Sequence, residues 1–132
     1  MRTHARWLFG VAGTVNLVVG LTLLLLPGRA AVIAGLEPAL GSHIVLIYFA
    51  GAMIAVFGYG YLRIAAEPAH YRPLIHIGAI GKLSAFACAA VPWLQGQIGP
   101  HLVVLLTLDV AFAMLFLDYL RRTASPRPSS EP

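Results

Sequence analysis

The sequence predicts an all-α integral membrane protein, a bundle of four helices with antiparallel neighbours, on three observations. Hydrophobic residues make up 59% of the 132-residue chain and charged residues 11%, against roughly 45–50% and about 25% in soluble domains. A mean hydropathy of +0.82 leaves more apolar surface than one small water-facing domain can bury. Those apolar residues fall into four runs, each close to the roughly 20 residues that a helix needs to cross about 30 Å of hydrocarbon. The lipid bilayer is the expected solvent for all of them.

The first run, Trp7 to Leu26, follows Arg2 and Arg6 and stops at Pro27. A signal peptide would have an apolar core of only about 7–15 residues, so the run is expected to remain as a helix. Pro27 to Ser42 is the longest connection, and its Ala31-Val32-Ile33-Ala34 core is expected to lie against the outer membrane surface. The second run, Ile44 to Leu62, ends before a polar break containing Glu67, Pro68, His70, Arg72 and Pro73. The third, Leu74 to Leu94, is joined to the fourth, Leu102 to Leu120, by the tight segment QGQIGP. Residues 1–122 thus form one transmembrane domain. Residues 123–132, TASPRPSSEP, are rich in Pro and Ser and are expected to be a disordered cytoplasmic tail.

Charge sets the orientation. With the N-terminus inside, Arg2, Arg6, Arg63, Arg72, Arg121, Arg122 and Arg127 all lie on the cytoplasmic side, and only Arg29 lies opposite. The positive-inside rule then puts both termini in the cytoplasm. Orientation accounts for the net charge of +4, and no nucleic-acid partner is implied. Cys88 is the only cysteine; it offers no intrachain disulfide or thiolate cluster and is expected to be a small packing residue.

An internal repeat is visible. Sliding Gly41–Pro68 onto Gly99–Pro126 without a gap matches His43 with His101, Ala55 with Ala113, and Tyr61-Leu62-Arg63 with Tyr119-Leu120-Arg121. Interfacial preference for Tyr and Arg explains part of this. Duplication of a helical hairpin, which would give the bundle a pseudo-twofold axis, explains the whole of it.

Depth arithmetic then singles out three polar residues. Lys82 lies about ten residues, roughly 15 Å, from the cytoplasmic start of the third run, near the bilayer midplane. Asp109 in the fourth run and Asn16 in the first reach the same level. A charge at that depth costs roughly 2.5–3.5 kcal/mol on insertion scales, which pairing would offset, so a buried Lys82–Asp109–Asn16 cluster is expected. Such a cluster serves either as a clamp that fixes helix packing or as a site for proton movement or ligand binding.

His43 and His101 form a second candidate site, on the outer side. Two facing imidazoles are a ligand set for one haem or metal ion; which metal, the sequence leaves unknown. His76, six positions before Lys82, points to a different face of the helix. Tyr48, Tyr59, Tyr61, Tyr71 and Tyr119, with Trp7 and Trp93, fit interfacial aromatic belts, Tyr48 and Tyr59 having the interior as a second option. No Ser-His-Asp order, phosphate-cradling glycine loop, HExxH pair or CxxC unit is present, so none of those chemistries points to an enzyme.

Four compact helices, Pro27 at the end of the first, short loops and the interior Gly81-Lys82-Leu83 resemble the DoxX-like small bacterial membrane proteins. The resemblance implies a multi-pass protein of the bacterial inner membrane. In that family a Gly-x-x-Lys-Leu signature lies in an early helix, whereas here Gly-Lys-Leu is in the third, so no thiosulfate or quinone activity and no site residue is carried over. The reading is a membrane accessory or assembly subunit, working with a membrane-protein partner or as a homo-oligomer. A small-molecule or proton-coupled transporter is the first alternative, and a quinone- or haem-associated redox protein the second. No cofactor is predicted under the first reading; haem or quinone belongs only to the last.

Overall fold

The computed structural model describes residues 2–124. Four long helices account for most of them: α1 (Arg2–Leu25), α3 (Ile44–Ala66), α4 (Arg72–Leu94) and α5 (His101–Arg122), with a short α2 (Pro27–Ala34) after the first. All four are long and apolar enough to cross a membrane. The expected tail lies outside the described residues from 125 onward. Before that point Thr123 closes α5, its hydroxyl donating to the Tyr119 carbonyl oxygen at 2.8 Å.

Local sequence explains each boundary. Leu26, held at φ −136° and ψ 54°, leaves the helical region because Pro27 follows it, and Pro27 then opens α2 at a position where its missing N–H is not needed. The segment expected to lie flat is this helix. It ends in a Schellman motif: Leu36 N–H donates to the Ala31 carbonyl at 2.9 Å and Gly35 N–H to that of Val32 at 3.1 Å. Gly35 takes φ +65°, a conformation that side chains with a Cβ resist. A single 3-10 turn, Gly41–His43, leads into α3. Pro68 stops α3 and Pro73 sits in the first turn of α4.

The long helices form two close-packed pairs, α1 with α3 and α4 with α5. In the first pair Gly13 faces Gly58 and Gly20 faces Gly51, so residue numbers fall along α3 as they rise along α1. A Cβ at Gly20 would lie 2.7 Å from both the Gly51 carbonyl oxygen and the Ala55 nitrogen. Small residues here allow the backbones to meet, as at many helix interfaces in membranes. The second pair is tied at one end by Arg72, which donates to the carbonyl oxygens of Thr123 at 3.0 Å and Leu120 at 3.2 Å. A guanidinium at the C-terminus of α5 also suits that helix's dipole.

Side chains join the two pairs at the end where Arg6, Arg63, Arg72, Arg121 and Arg122 are found. The buried core consists of Ala5, Leu8, Phe9 and Ala12 from α1, Tyr61 and Ile64 from α3, Ile75 and Ala79 from α4, and Ala113, Phe116 and Leu120 from α5. Aromatic rings knit it together: Phe9 and Phe116 lie 4.7 Å apart, and Tyr61 meets Phe116 edge-on at 5.1 Å. These spacings are within the range in which aromatic pairs add to area burial. Toward the opposite end the buried positions are small or belong to one pair's own seam, Gly20, Gly51, Ala89 and Val103 among them. Large apolar residues there, such as Val18, Phe49, Leu94 and Val104, face outward.

Candidate functional site

Near the middle of α4, Lys82 is 4% exposed and is the one buried polar or charged side chain among the described residues. One helical turn earlier Gly78 is also buried, and about two turns later Ala89 is buried on the same face. At its low exposure the Lys82 ammonium must be satisfied from the neighbouring helices.

Three other helices supply the partners. The Lys82 Nζ donates to the Asn16 Oδ1 on α1 at 3.2 Å and to the Asp109 Oδ1 on α5, with which it forms an ion pair. Its remaining side is covered by two rings, that of Phe112 on α5 with its centroid 5.2 Å away and that of Tyr61 on α3 at 5.4 Å. Both lie within cation–π range, an interaction worth roughly 0.5–2 kcal/mol. The structure thus brings together the three residues that depth alone had aligned.

Tyr61 is the addition. The belt assignment is corrected for it: Tyr61 is 1% exposed and sits in the core. Its hydroxyl donates to the Gly78 carbonyl oxygen at 3.3 Å, the same oxygen that takes the Lys82 backbone N–H in the α-helical pattern. Gly78 is required for this, since a Cβ there would lie 2.7 Å from the Tyr61 Cε1. Conversely Tyr48 and Tyr59, to which the interior was open, are 41% and 59% exposed. The signal for Tyr61 was its spacing: Gly58, Tyr61 and Ile64 share a helical face, and all three are buried.

The cluster is asymmetric. Asp109 is 25% exposed, and its second oxygen has no hydrogen-bond donor among the described residues. The ammonium is enclosed, while one side of the carboxylate stays open.

His43 lies in the Gly41–His43 turn and His101 opens α5. No Cα–Cα approach within 8 Å links the Gly41–His43 turn to α5. His101 instead rests on Gly35, where an added Cβ would lie 2.7 Å from its Nδ1. Among the described residues no group of three or more His, Cys, Asp or Glu side chains is placed to hold a metal ion. Cys88 is corrected from a packing residue to an exposed one. It lies six positions past Lys82, and about 600° of helix rotation turns it off the buried face. The same rotation leaves His76 exposed.

No protein-family model, curated protein or solved structure matches this chain.

Proposed function

We propose that the chain is a small multi-pass protein of the bacterial inner membrane, its four long helices forming an antiparallel bundle with both termini cytoplasmic. It acts as an accessory or assembly subunit, with a membrane-protein partner or a second copy of itself, and the Lys82–Asp109–Asn16 cluster sets how its helices pack. The arrangement resembles that of the DoxX-like proteins, and no activity is transferred from them. The observation that carries this reading is how completely Lys82 is consumed by the fold. An ammonium 4% exposed, satisfied by Asn16 and Asp109 and covered by Tyr61 and Phe112, ties α4 to each of the other three long helices. A polar group engaged in that way specifies which helices meet and in what rotation. The arginines gathered at one end support the orientation.

The test is the paired replacement of Lys82 by Met and Asp109 by Leu in the native membrane. A clamp replaced by apolar residues of similar volume keeps the fold, the co-purifying partners and the cellular phenotype. Loss of phenotype in a protein that remains folded and assembled would sink the clamp. It would instead support a proton-coupled carrier, the reading that the open side of Asp109, 25% exposed, favours.

A further inference from the structure

A groove of about 470 Å³ runs between α3 and α4 at the arginine-rich end. Its walls are apolar along the helices, from Val56, Phe57, Leu74 and Ile77, and it finishes in a polar mouth made of Arg63, Tyr59 and Tyr71. Among the described residues no carboxylate lines it.

The state of Arg63 is informative. Glu67 stands four positions later, the usual spacing for a helical ion pair, yet the two do not pair. The guanidinium instead donates to the Tyr71 hydroxyl at 2.7 Å and lies 5.6 Å from that ring's centroid. It is held at the groove mouth by a neutral partner, exposed and without a balancing anion among the described residues. A fixed cation with free donors beside an apolar channel matches an amphiphile that has an anionic head.

On this basis we propose that the α3–α4 groove is a binding site for one anionic phospholipid, its phosphodiester on Arg63 and the tyrosines and an acyl chain along Val56, Phe57, Leu74 and Ile77. The inference rests on the membrane reading above. Basic pockets between spanning helices on the cytoplasmic side recognise such headgroups. A partner helix is the poorer fit, because Val56 to Arg63 covers only roughly 10 Å of helix, short for a stable protein interface.

The experiment is native mass spectrometry of the full chain from micelles holding equal phosphatidylglycerol and phosphatidylcholine with identical acyl chains. The wild type should retain phosphatidylglycerol by about fivefold over phosphatidylcholine. Arg63→Gln should abolish that preference, and Arg121→Gln, at the same end but outside the groove, should keep it. Ile77→Trp, which fills the channel from an exposed position, should lower retention of both lipids. Helicity by circular dichroism checks that each variant is folded. Equal retention of the two lipids by the wild type, a preference that survives Arg63→Gln, retention unchanged in Ile77→Trp, or displacement of the lipid by inorganic phosphate would each overturn the proposal. Alkaline extraction separates it from its premise: a chain released from membranes sinks the membrane reading, whereas one that stays inserted without lipid preference sinks only the groove.

Discussion

Asp109→Leu and Lys82→Met should each be far more damaging than the two replacements together, because the residues form one ion pair. Lys82 is 4% exposed and Asp109 25%, and near mid-membrane, as proposed, that exposure offers the carboxylate no bulk water. Without the carboxylate, the ammonium keeps one oxygen, the Asn16 Oδ1 at 3.2 Å, in a pocket closed by the core. Removing one partner of a buried pair costs about 3–5 kcal/mol. Without the lysine, the carboxylate keeps no hydrogen-bond donor among the described residues, and the loss should be of the same order. Replacing both should return the protein to within about 1 kcal/mol of wild type, so the single losses do not add. Reversible unfolding in mixed micelles against increasing dodecyl sulfate, followed by far-ultraviolet circular dichroism, gives all three values. Single losses below about 1 kcal/mol, or a double variant at least as damaged as their sum, would refute the argument from pairing.

Gly20→Val places a side chain where the α1–α3 seam has only 2.7 Å, and overpacking of that kind should cost about 1–3 kcal/mol. Gly10→Ala, with nothing within 4 Å of the new Cβ, should cost nothing in the same unfolding assay. Phe116→Ala empties a fully buried position that Phe9, Tyr61 and Phe112 all touch and should cost about 3–5 kcal/mol; Leu108→Ala, on the outward face, should change stability by less than about 0.5 kcal/mol. Tyr61→Phe loses only the hydroxyl bond to Gly78 at 3.3 Å and should cost about 0.5–1.5 kcal/mol, whereas Tyr61→Ala also uncovers Lys82 and should lose several times more.

Run length and proline position made the helices legible, because hydrocarbon thickness and a missing N–H leave few alternatives. The level of Lys82, Asp109 and Asn16 was legible for a related reason: a helix rises by a fixed amount per residue, so depth can be counted. Rotation is harder to read. In a chain apolar on nearly every face, hydrophobicity does not say which side of a helix meets protein. Cys88 was assigned inward, and counting from Lys82 would have turned it outward. Tyr61 was grouped with Tyr119 because both begin a Tyr-Leu-Arg triplet at a helix end. Its burial depends on Gly78 of another helix leaving room for the ring, a contact that the local sequence does not reveal.

The repeat shows what rotation does to equivalent positions. Under the alignment of Gly41–Pro68 with Gly99–Pro126, Gly51 corresponds to Asp109. Gly51 lies against Gly20 on α1, and Asp109 pairs with Lys82 on α4. One helix pair is joined there by backbone contact and the other by charge, so a shared ancestry for the hairpins would not make the two halves interchangeable.

With the large buried side chains gathered at the arginine-rich end, the two helix pairs are joined by packing mainly at that end. The aromatic knot of Phe9, Tyr61 and Phe116 joins them there, and near mid-length the Lys82–Asn16 hydrogen bond crosses from one pair to the other. At the far ends the pairs meet again, where His101 rests against Gly35. A hydrogen bond tolerates little lengthening before it weakens steeply. The Lys82–Asn16 bond therefore depends on the spacing of the two pairs in a way that the apolar knot does not.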